Sequence, residues 1–279
     1  MRTVHLVIAV ALLFLSLANI ARADRFTIPH PDDATKSVEY YMLKPKTTGP
    51  WPTVLLLHGH QEAGPQVGGR VFDDWGVLGR FAQRGYLAVA VSQPGYGGST
   101  GPADFCGPFT QRAVSAVIAK IRADGFLGDR LVLVGISRGA IAAGLVAAYD
   151  RNVSGLVLIS GVYDLTQFAS DLAPNETKLE VVNSLIDETG GGDAAALQWR
   201  SLLHVADKIK ANTLILNGAK DDRATPDQAQ RLAAAIKAHG GHARVIIYPD
   251  YGHQIPVDVR NRDVDPFIDT VLKTNAPKQ

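Results

Sequence analysis

The chain has 279 residues, 46% of them hydrophobic and 20% charged, with a formal net charge of +1. That is enough apolar sequence for one large α/β domain, or two small ones. The near-neutral balance gives no electrostatic case for nucleic acid or an anionic membrane as partner. Cys106 is the single cysteine, so no internal disulfide staples the fold.

Arg2, the apolar run Leu6 to Leu17 and the small-x-small site Ala21-Arg22-Ala23 read as a signal peptide over residues 1–23. The mature chain then starts at Asp24. The expected location is the periplasm or the exterior, with no stable membrane association after cleavage. A retained membrane anchor is the alternative.

From Asp24 to Lys46 the chain reads as extended, with Ser37 to Leu43 the best strand. Thr53 to Leu57 is a buried strand ending in His58-Gly59-His60. Phe72 to Arg84 has helical spacing of Trp75, Leu78 and Phe81. Tyr86 to Val91 is the next strand, followed by a Gly- and Pro-rich loop from Gln93 to Pro108 and a helix from Phe109 to Ala123. Leu131-Val132-Leu133-Val134 shows no alternation, as expected of a strand buried on both faces of a parallel sheet. It runs into Gly135-Ile136-Ser137-Arg138-Gly139, and a helix follows to Tyr149.

Gly155 to Ser160 is another buried strand. Gly161 to about Lys208 breaks the strand–helix rhythm, with Pro174-Asn175-Glu176 and Gly190-Gly191-Gly192 as breakers, and reads as a small helical cap insertion. Thr213 to Leu216 is a strand. Thr225-Pro226-Asp227-Gln228 predicts a capping box at the head of a helix that runs to His239. Ala243 to Tyr248 is the last strand and Asp265 to Lys273 the last helix. Alternating strands and helices predict a mostly parallel sheet covered on both faces, with ligands beyond the carboxyl ends of the strands.

Ser137, His60, Asp221 and His253 all follow predicted strands, which brings them to one edge of that sheet. A Gly-x-Ser-x-Gly between a strand and a helix lifts the serine hydroxyl out of the sheet. Serine needs a base to become a nucleophile, and His253, after the last strand, is the candidate. Gly252 is expected to let its loop bend back toward the serine. Asp221 is the candidate carboxylate for the far ring nitrogen, with Asp222 the alternative. The backbone N–H groups of Arg138 and His60 are the candidate oxyanion donors. His58 reads as a residue that hydrogen-bonds the loop into shape. His239 and His242 make no convincing metal pair, and no metal or organic cofactor is implied.

Leu57-His58-Gly59, Gly135 to Gly139, Gly218 to Asp221 and Gly252-His253, in this order, resemble the α/β-hydrolase superfamily. Arg138-Gly139 after the serine, and Asp221-Asp222-Arg223 followed by Pro226, look most like the prolyl oligopeptidase and acylaminoacyl-peptidase group. The resemblance implies that Arg223 reads a substrate carbonyl. It also implies that the loop Pro94 to Ser99, with Tyr96, lines the pocket. Small propeller-free relatives that look like this chain include esterases and dienelactone-hydrolase-like enzymes. The first expectation is an exported serine hydrolase cleaving carboxylic esters. The alternatives are a peptidase or acylaminoacyl-peptidase-like hydrolase, and a non-catalytic binding protein on the same fold. Serine in the nucleophile position argues against dehalogenase or epoxide-hydrolase chemistry.

Overall fold

Leu131, Val132, Leu133 and Val134 are each no more than 4% exposed. The lack of alternation in that run has a simple cause: helices cover both faces of the strand. A computed structural model describes residues 22–61, 66–170 and 176–273. The expected signal segment, up to residue 21, and the Pro174-Asn175 breaker lie outside the described residues.

Eight strands form one sheet: β1 (Asp24–His30), β2 (Asp33–Leu43), β3 (Trp51–Leu57), β4 (Leu87–Val91), β5 (Leu127–Ile136), β6 (Val153–Ile159), β7 (Asn212–Gly218) and β8 (Ala243–Tyr248). Their order is β1-β2-β4-β3-β5-β6-β7-β8. β1, β2 and β4 pair antiparallel, and all the other neighbours pair parallel. The fold is therefore the expected α/β-hydrolase sheet, with the extended N-terminal stretch resolved into an antiparallel β1–β2 hairpin.

One face packs Leu55, Leu57, Leu131 and Leu133 under α3 (Pro108–Ala123), α4 (Arg138–Tyr149) and α8 (Pro226–Ala238). The other packs Val54, Leu56, Val132 and Val134 under α1 (Val71–Asp74), α2 (Val77–Gln83) and α9 (Val257–Lys273). The side-chain period of two sends successive residues of each strand into opposite cores. The insertion after β6 carries α5 (Leu165–Ser170), α6 (Glu176–Thr189) and α7 (Ala194–Arg200), then a 3-10 segment, Leu202–Lys208. It is helical, as expected. Among the described residues, no helix is long and apolar enough to cross a membrane.

Three local expectations need correction. The helix expected over Phe72 to Arg84 breaks into α1 and α2, because Gly76 adopts φ 70°, the left-handed region where glycine is at no disadvantage. The last helix starts at Val257, eight residues before the expected Asp265, and carries Pro266 in its interior. Burial of Val264, Ile268, Val271 and Leu272 on the sheet offsets the roughly 3 kcal/mol that an interior proline costs. The capping box at Thr225 does not form. The helix does begin there with Pro226 in its first turn, but the Thr225 side chain caps nothing. Gln228 is instead buried, and its Oε1 accepts from the backbone N–H groups of Tyr163 (2.7 Å) and Asp164 (2.9 Å) at the entry to the insertion.

Candidate active site

Ser137 sits between β5 and α4 at φ 52°, ψ −120°. A non-glycine residue with positive φ costs on the order of 1–3 kcal/mol and persists only where its surroundings impose it. The imposition is visible. A Cβ on Gly135 would fall 2.2 Å from the Gly139 carbonyl oxygen, and one on Gly139 would fall 2.2 Å from that of Leu57. Both positions flanking the elbow are closed to any side chain. The Ser137 N–H donates to the Ile159 carbonyl at 2.7 Å, tying the turn to the end of β6.

The loops after β7 and β8 meet this serine. His253 Nε2 stands 3.0 Å from Ser137 Oγ. His253 Nδ1 stands 3.0 Å from Asp221 Oδ2 and 3.1 Å from Oδ1. Asp221 accepts only, so Nδ1 carries the proton and Nε2 is left as the acceptor for the serine hydroxyl. The carboxylate itself is held: Oδ1 accepts from the N–H groups of Arg223 (3.0 Å) and Ala224 (2.9 Å). The Asp221 side chain is 0% exposed and that of His253 16%, so the pair is shielded but the imidazole is reachable. Asp222, the alternative carboxylate, is exposed, and it is Asp221 that contacts the histidine. Asn217 holds the loop from beneath, donating from Nδ2 to the Ala224 carbonyl at 2.8 Å.

The loop after β3 passes directly over the serine: a Cβ on Gly59 would lie 3.2 Å from the Ser137 Cβ. His58 organises this loop, as the sequence leads one to expect. Its Nδ1 donates to the Gly59 carbonyl at 2.7 Å, and its Nε2 accepts from the Gln93 N–H at 3.1 Å. Burial pushes its pKa down to about 4. His60 is partly exposed, with Nδ1 at 2.8 Å from the Tyr96 hydroxyl.

Tyr96 is not an open pocket wall. It is 3% exposed, and its hydroxyl lies between His60 and Arg138 Nη1, the latter at 3.3 Å. Burial raises its pKa to about 12, so it reaches the site as a neutral phenol, through these two neighbours. Arg223 is half-buried two residues past Asp221, and the structure ties its backbone to that carboxylate. The Cys106 thiol is buried and faces the Arg138 carbonyl at 3.2 Å, and burial raises its pKa to about 12, which leaves it inert.

Sequence reasoning missed Glu188 of the insertion. Glu188, near the end of α6, forms a two-pronged ion pair with Arg138: Oε1 lies 2.6 Å from Nη1, and Oε2 contacts Nη2. The only local signal is Asp187-Glu188 in the last turn of a helix, where acids oppose the macrodipole. Among the described residues, no group of three or more His, Cys, Asp or Glu side chains is placed to hold a metal ion.

A parallel sheet carrying a strained serine elbow at the carboxyl ends of its strands, with histidine and aspartate loops folded onto it, defines an α/β-hydrolase. The chain belongs to the prolyl oligopeptidase family, whose model matches residues 111–273. The model of the X-Pro dipeptidyl-peptidase (S15) family matches residues 36–173. Dipeptidyl aminopeptidase BIII of Pseudoxanthomonas mexicana is 26% identical over 218 residues, 75% of this chain but only 31% of that protein. The chain thus spans under a third of the length of this curated relative. Uncharacterized peptidase YtmA of Bacillus subtilis (strain 168) is 24% identical over 230 residues, 81% of this chain and 85% of that one. Among solved structures, the acylaminoacyl peptidase of Pyrococcus horikoshii matches with a TM-score of 0.73 at 16% identity, over 91% of this chain and 42% of that one. The acetyl xylan esterase from Paenibacillus sp. R4 matches with a TM-score of 0.68 at 18% identity, over 88% and 83%. At these identities the likeness to the solved structures is one of fold.

Proposed function

We propose that this chain is a serine hydrolase that works through an acyl-enzyme and cleaves amide bonds in peptides or aminoacyl compounds. The observation that carries the chemistry is His253, with Nε2 at 3.0 Å from Ser137 Oγ and Nδ1 at 3.0 Å from Asp221. Ser137 Oγ attacks the substrate carbonyl while His253 takes its proton. Asp221 holds the imidazole in its tautomer and stabilises the imidazolium. The oxyanion is met by the backbone N–H of Arg138, at the head of α4, and by that of His60. His253 then protonates the leaving amine, and water repeats the cycle on the acyl-enzyme.

Family membership and the similarity to a dipeptidyl aminopeptidase support an amide substrate. Arg223, beside Asp221, serves as the clamp on a substrate carbonyl. Carboxylic-ester cleavage, the first expectation from the sequence, is the second reading. An acetyl xylan esterase shares the fold over most of both chains, and the same acyl-enzyme route serves an ester carbonyl. The N-terminal segment up to residue 23 supports export to the periplasm or exterior, tested by whether the mature protein begins at Asp24.

The test is a paired turnover assay of the wild type and Ser137→Ala on aminoacyl and acyl-peptide anilides and on short-chain nitrophenyl esters. Amide turnover that disappears in the mutant supports the peptidase reading. Ester turnover alone, lost in the same way, moves the assignment to an esterase. Turnover unchanged in Ser137→Ala contradicts the mechanism.

A further inference from the structure

Helix α6 of the insertion touches both halves of the oxyanion site with carboxylates. Near its end, Glu188 grips the Arg138 guanidinium, whose side chain is 2% exposed. Glu188 Oε2 also accepts from the Phe105 N–H at 2.7 Å, tying in the loop between β4 and α3. About two turns earlier on the same helix, Glu180 Oε1 stands 3.9 Å from His60 Nε2. His60 and Arg138 are joined through the Tyr96 hydroxyl, at 2.8 Å and 3.3 Å. The contacts therefore leave α6 at Glu180, run through His60, Tyr96 and Arg138, and return to α6 at Glu188.

The energetics make this arrangement directional. Arg138 is buried between the rings of Tyr96 and Phe105, 5.3 Å and 4.8 Å from their centroids. A guanidinium in that position is tolerated only while a carboxylate compensates it. Glu188 in turn sits in a helical last turn that carries no basic residue, so its own helix disfavours it. Each charge is disfavoured where it stands without the other, and they meet only when α6 lies on the site.

We infer that Glu188 is a positioning residue: through Arg138 it fixes α6 over the oxyanion site and holds the peptide whose N–H stabilises the oxyanion. The inference rests on the proposed role of Ser137 and Arg138. Because the oxyanion forms only in the transition state, a displaced donor lowers kcat and leaves KM nearly unchanged. A merely structural cap, or one that only shapes the substrate pocket, moves stability or KM instead.

The experiment compares Glu188→Gln and Glu188→Asp with the wild type, using whichever amide or ester substrate the wild type turns over. It adds amide hydrogen exchange across residues 176–189. For Glu188→Gln we expect kcat to fall about tenfold or more, KM to stay within about threefold, and exchange in α6 to accelerate. Glu188→Asp keeps the charge but withdraws it by one methylene, so its kcat falls between the two. If Glu188→Gln does not fold, the kcat and KM of Glu188→Asp decide alone. A raised KM with unchanged kcat, or unchanged exchange in α6, overturns the inference. Turnover that survives Ser137→Ala would instead defeat the hydrolase reading, and α6 exchange would still judge the docking.

Discussion

Gly218 lies so close to Gly252 that a Cβ on Gly218 would fall 2.2 Å from the Gly252 carbonyl oxygen. The last residue of β7 is pressed flat against the loop after β8, and this contact joins the Asp221 loop to the His253 loop. The Lys220 N–H reinforces it, donating to the Tyr251 carbonyl at 2.9 Å. The glycine that the geometry demands is therefore Gly218. Gly252, expected to supply the bend, has no left-handed φ, and a Cβ on it would meet nothing nearer than the Lys220 carbonyl oxygen at 3.3 Å.

Gly218→Ala should push the two loops apart and lower kcat/KM about 10²-fold, the scale of a 1 Å misplacement in a catalytic constellation. Gly252→Ala should cost less than about threefold, since its neighbour needs to yield only a few tenths of an ångström. Steady-state kinetics on both variants checks this, and equal losses would show that the Gly218 contact does not set the site.

Asp221→Asn should lower kcat about 10⁴-fold: the Arg223 and Ala224 N–H groups claim the amide oxygen at the Oδ1 position, which leaves the amide NH2 facing His253 Nδ1 and favours the wrong tautomer. Asp222→Asn, in an exposed side chain, should stay within about twofold. Comparable losses in the two variants would reassign the carboxylate.

His58 should make the fold acid-sensitive. Its folded-state pKa, about 4, lies below its ordinary value of 6.5 because it is buried. Between those values the unfolded chain binds the extra proton and the folded one does not. The stability is fully present above about pH 6.5 and is lost as pH falls toward 4, by up to roughly 3 kcal/mol. Urea denaturation of the wild type and His58→Asn at pH 7 and pH 5 reads this difference. The variant should be less stable at pH 7 and should lose less between the two. Parallel losses would remove His58 from the account.

Arg223→Ala should raise KM for aminoacyl anilides about tenfold with kcat nearly unchanged, as expected when binding is lost equally from ground and transition states. A fall in kcat at constant KM would point instead to damage at Asp221, whose carboxylate the Arg223 backbone contacts.

The parts of this molecule that were legible in the sequence are those whose cause is local. The β5 run lacks alternation because both faces are buried, and Gly135 and Gly139 flank Ser137 because backbone presses on both. The start of α9 was hidden by Pro266, whose cost is local while the burial that offsets it is tertiary. Gln228 has the spacing of a capping residue, yet backbone N–H groups far back in the chain, at Tyr163 and Asp164, recruit it. Glu188 was invisible for the same reason. Fifty residues separate it from Arg138, and nothing in a helix sequence states which buried charge its last turn will meet.

The most direct test of the central claim is covalent capture of the nucleophile. The full chain is treated with a fluorophosphonate probe, digested and mapped by mass spectrometry, alongside His253→Ala. Ser137 activated by His253 predicts a single adduct on the peptide carrying Ser137, with labelling slowed at least about 10²-fold in the variant. Labelling elsewhere, or at the same rate without His253, would contradict the account.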